Sequence, residues 1–128
     1  MRFAGDLQTK EGICRFHPCG ECTLVEAVEL ISSAIAHCRN HRVNRLLVNA
    51  TGLQGVPVPT LVDRFLAAEE WAQEAKGAVV MALVIQAEYI HPKKFGVRVA
   101  ADFGLVSDVY TSEADALKWL SRGVVQWR

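Results

Sequence analysis

The chain carries no net charge, with fourteen Lys and Arg against fourteen Asp and Glu in 128 residues. The basic footprint of a general nucleic-acid binder is therefore missing. Its apolar runs stop well short of the ~20 residues a membrane helix needs. The opening Met-Arg-Phe-Ala-Gly-Asp lacks the pattern of a secretory leader. These absences lead us to expect a cytoplasmic protein with no nucleic-acid partner and no integral membrane association. The phosphate-loop, dinucleotide, zinc-protease and nucleophile-elbow signatures are also missing, so no enzymatic activity is expected. Four cysteines are few for a secreted disulfide framework in a chain whose 51% hydrophobic content suffices for a core, and reduced thiols are expected.

What is present reads as alternating strand and helix in one α/β domain, assigned to residues 1–123, with 124–128 as a tail. Residues 2–9 and 12–18 form an expected hairpin around Lys10-Glu11-Gly12. From Thr23 the period changes, and Leu24, Val25, Val28, Leu30, Ile31, Ala34 and Ile35 recur at helical steps to about Arg39. Thr23 and Glu26 have the spacing of a capping box. Arg45 to Ala50 reads as a buried parallel strand, broken at Thr51-Gly52. A second helix is expected over Thr60 to Ala75, with Leu61, Val62, Phe65, Leu66 and Ala72 inward. Ala78 to Ala87, the most continuous apolar run, is the expected central strand. Pro92 is placed in the first turn of a third helix, which carries Phe95 and Val99 and ends near Gly104. Leu105 to Tyr110 is a last strand. Ser112 and Asp115 open a fourth helix, bearing Leu117 and Leu120, that Gly123 closes. A mixed sheet with right-handed crossovers follows.

The stretch HPCGEC, residues 17–22, together with Cys38 and His41, has spacing compatible with a zinc site. Geometry opposes it. A helix from Thr23 to Arg39 holds Cys22 and Cys38 about 24 Å apart, whereas zinc–sulfur bonds are ~2.3 Å. A three-ligand half-site of His17, Cys19 and Cys22 lacks an evident fourth partner. Cys22 beside a helix N-terminus has the position of a reactive thiol, but the pair follows a hairpin rather than a parallel strand. Neither metal nor cofactor is expected, and Cys14 and Cys38 read as small buried residues. His37 and His41 share a helix side and read as surface imidazoles.

Two places keep functional interest, because ligands of parallel sheets gather outside the carboxyl ends of the strands. One is Asn49-Ala-Thr51-Gly52. The other is Glu88 to His91, running into Pro92-Lys93-Lys94. His91, Lys93, Lys94 and Arg98 beside free helix amides would make a modest anion site.

Gly20-Glu-Cys-Thr23, Leu46-Leu-Val-Asn-Ala-Thr-Gly52, Ala82-Leu-Val-Ile85 and Asp115-Ala-Leu-Lys-Trp-Leu120, in this order and spacing, resemble the STAS domains of the anti-sigma-factor antagonists, and more closely their SpoIIAA-like relatives. The resemblance spans nearly the whole chain. It implies a non-enzymatic regulatory module, with no cysteine chemistry at the turn into the first helix. It also implies a partner-binding switch at the start of the second helix, where the family carries an Asp-Ser-Ser-like stretch with a phosphorylated serine. Here that segment is Val56-Pro57-Val58-Pro59-Thr60, without the acidic residue or either serine. Asn49 stands where such proteins often have Asp. Thr60, the one hydroxyl nearby, serves equally as a helix cap.

Two readings follow. The first is an interaction module that presents Asn49, Thr51, Pro57, Pro59 and Thr60 to a protein partner, with homodimerisation through Val56, Val58 and Trp71 as a further expectation. The second is a binder of a small anionic ligand, a lipid or nucleotide, at His91, Lys93, Lys94 and Arg98. A thiol redox role for Cys22 stands a distant third.

Overall fold

The computed structural model describes residues 3–122; the tail, and Gly123 as the end of the last helix, lie outside them. Strands β1 (Phe3–Lys10) and β2 (Ile13–Glu21) form the hairpin, and helix α1 (Leu24–Asn40) follows. Next come β3 (Arg45–Asn49), a short β4 (Gly52–Gln54) and α2 (Leu61–Ala75). The chain continues through β5 (Val80–Val84), a 3-10 turn at Ala87–Tyr89, α3 (Phe95–Asp102), β6 (Ser107–Tyr110) and α4 (Glu113–Arg122). The sheet runs β1-β2-β3-β5-β6, with β1 antiparallel to β2 and the remaining pairs parallel. β4 pairs with β2 beyond β3, so β3 and β4 act as one strand interrupted at Ala50-Thr51.

The sheet has two covered faces. Helices α1, α2 and α3 pack on one, around Phe16, Ile35, Leu46, Val48 and Met81. α4 packs on the other, where Leu47, Val80, Ala82 and Val84 meet Ala116 and Leu120. Alternation along β3 and β5 feeds both cores, which is why these strands read as continuous apolar runs.

The expected capping box is present at α1, and half of one at α4. The Glu26 N–H donates to Thr23 Oγ1 at 3.1 Å while Glu26 Oε1 accepts from the Thr23 N–H at 2.9 Å. At α4 the Asp115 N–H donates to Ser112 Oγ at 3.1 Å.

Four expectations need correction. β3, not the run at 78–87, is central; β5 is shorter and lies one strand nearer the edge. Pro92 is outside α3, because Lys94 takes a left-handed conformation (φ 50°) that interrupts any helix begun earlier. Val25 faces solvent, since α1 turns Ala27, Ile31, Ala34, Ile35 and Cys38 to the sheet. α2 also sits otherwise than expected, burying Ala68, Ala72 and Ala75 and leaving Leu61, Val62, Phe65 and Leu66 exposed. The alanines let α2 pack closely against α1 and α3, and the bulky residues face outward or project beyond the packed region.

Candidate functional site

The outer face of α2 is anchored from below. Trp71 Nε1 donates to the Val28 carbonyl on α1 at 3.1 Å, Ser32 Oγ to Glu70 Oε2 at 2.5 Å, and Arg39 Nε to the Glu74 carbonyl at 2.7 Å. At the helix start, Thr60 and Asp63 form a reciprocal cap, with the Asp63 N–H on Thr60 Oγ1 at 3.1 Å and the Thr60 N–H on Asp63 Oδ2 at 2.9 Å. Arg64 ties the helix to the 3-10 turn by donating to the Tyr89 carbonyl at 2.9 Å. These bonds fix α2 in an orientation that holds four large apolar side chains in water.

Leu61 is 52% exposed, Val62 66%, Phe65 40% and Leu66 55%. The patch has neighbours. Phe65 packs edge-on against Phe103 at the end of α3, their ring centroids 5.6 Å apart. On the α1 side, Leu66 shares a shallow groove with Val25 and Val28, flanked by Glu29, Asp63 and Glu70. Val58 adds a further exposed apolar side chain from the loop before the helix. An apolar stripe thus crosses three helices, bordered by carboxylates on one side. Val56 and Trp71, expected on this surface, are half-buried instead.

Beneath α2 lies an apolar cavity of about 160 Å³. Its walls come from α1, α2, α3 and the sheet, including Ile31, Ala68, Trp71, Leu83 and Ala100. Its rim is made by the strand ends and the following loops: Ala50, Leu53, Pro59, Gln86, Tyr89 and His91. Both strand ends singled out from sequence therefore contribute to one cavity.

The individual candidates are placed as follows. Asn49 points to the α4 side, where its Nδ2 donates to Glu113 Oε2 at 2.8 Å; its Oδ1 accepts from the Thr51 N–H at 3.1 Å and the Thr51 hydroxyl at 2.6 Å. These bonds satisfy the backbone where β3 is interrupted. Pro57 is exposed, Pro59 lines the cavity, and Thr60 caps α2. Lys94 donates from Nζ to Asp108 Oδ1 at 2.7 Å and lies 5.8 Å from the centre of the Tyr110 ring. Lys93 and Arg98 are exposed, and the Lys93 N–H donates to His91 Nδ1 at 3.0 Å. The structure brings His91 and Lys94 to one rim but binds the Lys94 ammonium to a carboxylate.

Sequence reading missed a second polar cluster. His17 Nε2 lies 2.6 Å from Glu113 Oε2, the same oxygen that Asn49 reaches, so β2, β3 and α4 are braced together. The Asn49 amide, helped by His17 and the positive charge of Arg15, holds the Glu113 carboxyl below its ordinary range against partial burial. The only sequence signal was an acidic residue in the first turn of α4.

The HPCGEC stretch separates on folding. Cys19 is exposed on β2 and Cys22 is buried before the cap of α1. Cys14 and Cys38 are buried and share a thiol hydrogen bond, which draws Cys14 down and pushes Cys38 up. Among the described residues no three His, Cys, Asp or Glu side chains converge as a metal site would require. His37 and His41 stack with centroids 4.0 Å apart at the end of α1.

A mixed sheet with an antiparallel first hairpin, three helices on one face and one on the other makes a single α/β domain. Comparison with solved structures places the chain among SpoIIAA-like folds. An anti-sigma factor antagonist from Mycobacterium paratuberculosis superposes with a TM-score of 0.58 at 12% identity, covering 93% of this chain and 94% of the other. The anti-sigma factor antagonist SpoIIAA in its unphosphorylated form gives 0.52 at 17% identity over 93% and 99%. An uncharacterized DUF3478-family protein with a SpoIIAA-like fold from Shewanella loihica PV-4 gives 0.50 at 19% over 92% and 93%. No protein-family model and no curated protein matches the chain. Among the described residues no helix is long and apolar enough to cross a membrane.

Proposed function

We propose that this chain is a non-enzymatic regulatory module that docks a protein partner through the outer face of α2. The observation that carries the reading is the inversion of that helix: Leu61, Val62, Phe65 and Leu66 stand in solvent while three alanines face the core. Large apolar side chains gathered on a monomer surface mark interaction sites. Two structural neighbours bear the name anti-sigma factor antagonist, which supports a protein partner over a catalytic role. The missing serines at 56–60 support a docking mode without the phosphoserine switch. Thr60, exposed at the helix start, is the one hydroxyl of that segment open to modification.

Val62→Glu and Leu66→Glu test this. Both side chains are exposed, so each variant should fold with stability within ~0.5 kcal/mol of wild type. Association with a protein partner, or with a second copy, should be lost. Association unchanged in both variants would refute the reading.

A further inference from the structure

We propose that the cavity beneath α2 is a binding site for a compact, uncharged, apolar small molecule about the size of one aromatic ring. The proposal stands on the interior of the domain and is independent of docking at the outer face of α2. The space exists because small residues meet there from three helices: Ala27 on α1, Ala67 and Ala68 on α2, Gly96 and Ala100 on α3. At Gly96 even an added Cβ would reach nothing closer than Arg64 Cβ at 3.9 Å. The resulting recess is partly open to solvent, and its volume of about 160 Å³ is close to the roughly 150 Å³ of an apolar protein cavity that accepts benzene. It is well below the roughly 300 Å³ at which drug-sized pockets begin. It also opens at the carboxyl ends of the parallel strands, where ligands of such sheets enter.

The rim decides the chemistry of the ligand. Most of the polar side chains at the rim already bond within the protein, and the inner walls, Ile31, Ala68, Leu83 and Ala100, are apolar. Lys94 is on Asp108, Arg64 on the Tyr89 carbonyl, and Asp63 on the Thr60 N–H. The Tyr89 hydroxyl donates to the Val56 carbonyl at 2.5 Å and Gln86 Nε2 to the Thr51 carbonyl at 3.1 Å. A carboxylate or phosphate carried down among the apolar walls would lose its hydration while the rim cations Lys94 and Arg64 stay tied to Asp108 and the Tyr89 carbonyl, which is strongly unfavourable. A neutral ring gives up nothing comparable and fills the space. This ligand class differs from the anionic one expected at His91, Lys93, Lys94 and Arg98.

Toluene and benzoate form the discriminating pair, because they share a ring and differ in charge at pH 7. In titrations of isotopically labelled protein followed by NMR, toluene should shift Ile31, Leu83 and Ala100 saturably, with benzoate at least ~10-fold weaker. Gly96→Leu should weaken toluene at least ~10-fold while keeping a native spectrum. Ala67→Leu, on another wall and half-buried, should do the same if the glycine variant folds poorly. Non-saturating shifts, shifts confined to Val62 and Leu66 outside, benzoate binding as tightly as toluene, or undiminished toluene binding in a folded filled variant would each overturn the proposal.

Discussion

Phe65 on α2 and Phe103 at the close of α3 meet edge to face, centroids 5.6 Å apart, although each ring is about two-fifths exposed (40% and 44%). The contact joins two helices at the surface and leaves both rings available from outside. A double-mutant cycle with Phe65→Ala and Phe103→Ala should give a coupling of about 1 kcal/mol in denaturant unfolding. Coupling near zero would mean that the rings are not held together in solution.

Thr60 is the N-cap of α2, and its role is local. Thr60→Ala should lower stability by about 1 kcal/mol, and Thr60→Ser should restore most of it, because only the hydroxyl acceptor is needed. Urea unfolding at pH 7 reads both. If serine fails to rescue, the cap is not what Thr60 supplies.

Glu113 links stability to pH. Its folded pKa is lowered from the model-compound value of 4.5, first by the Asn49 amide and then by His17. A carboxylate depressed in the folded state contributes stability that is present above its unfolded pKa and lost as pH falls through the folded one. Wild type should therefore exceed Glu113→Gln in unfolding midpoint at pH 7, and the difference should shrink below about pH 4.5. A difference independent of pH would contradict the brace.

Thiol chemistry should be confined to Cys19. Cys14, Cys22 and Cys38 are buried, so a disulfide-exchange reagent should label one thiol quickly in the native protein, and Cys19→Ser should abolish that phase. Fast labelling that Cys22→Ser removes would revive a redox role at the α1 N-terminus.

Much of the architecture could be read from the chain because its signals are local. Alternation in β3 and β5, the box at Thr23/Glu26 and the Ser112 cap on Asp115 depend on neighbours a few residues away. The orientation of α2 did not follow. Its apolar residues extend around more than half the helix, and the eye assigns the bulky ones to the core. Leu66 and Ala68, two positions apart, point to opposite sides. Only the close packing against α1 and α3 selects the alanines. The site was half legible for a similar reason. Strand ends 49–52 and 88–91 were recognisable from topology. The pairings that decide their chemistry, Lys94 with Asp108 and Asn49 and His17 with Glu113, join segments from different elements. Nor does any single small residue announce a cavity. Ala27, Ala67 and Gly96 are ordinary helix positions until three helices bring them together.

The central claim, that α2 docks a protein by its outer face, is tested most directly by a photo-activated cross-linker placed at Val62 in cells of the source organism. An identical probe at Lys118, exposed on α4 across the sheet, serves as the control. A discrete protein adduct from position 62, absent from position 118, is the predicted result. No adduct at 62, or the same adducts from both positions, would contradict the account.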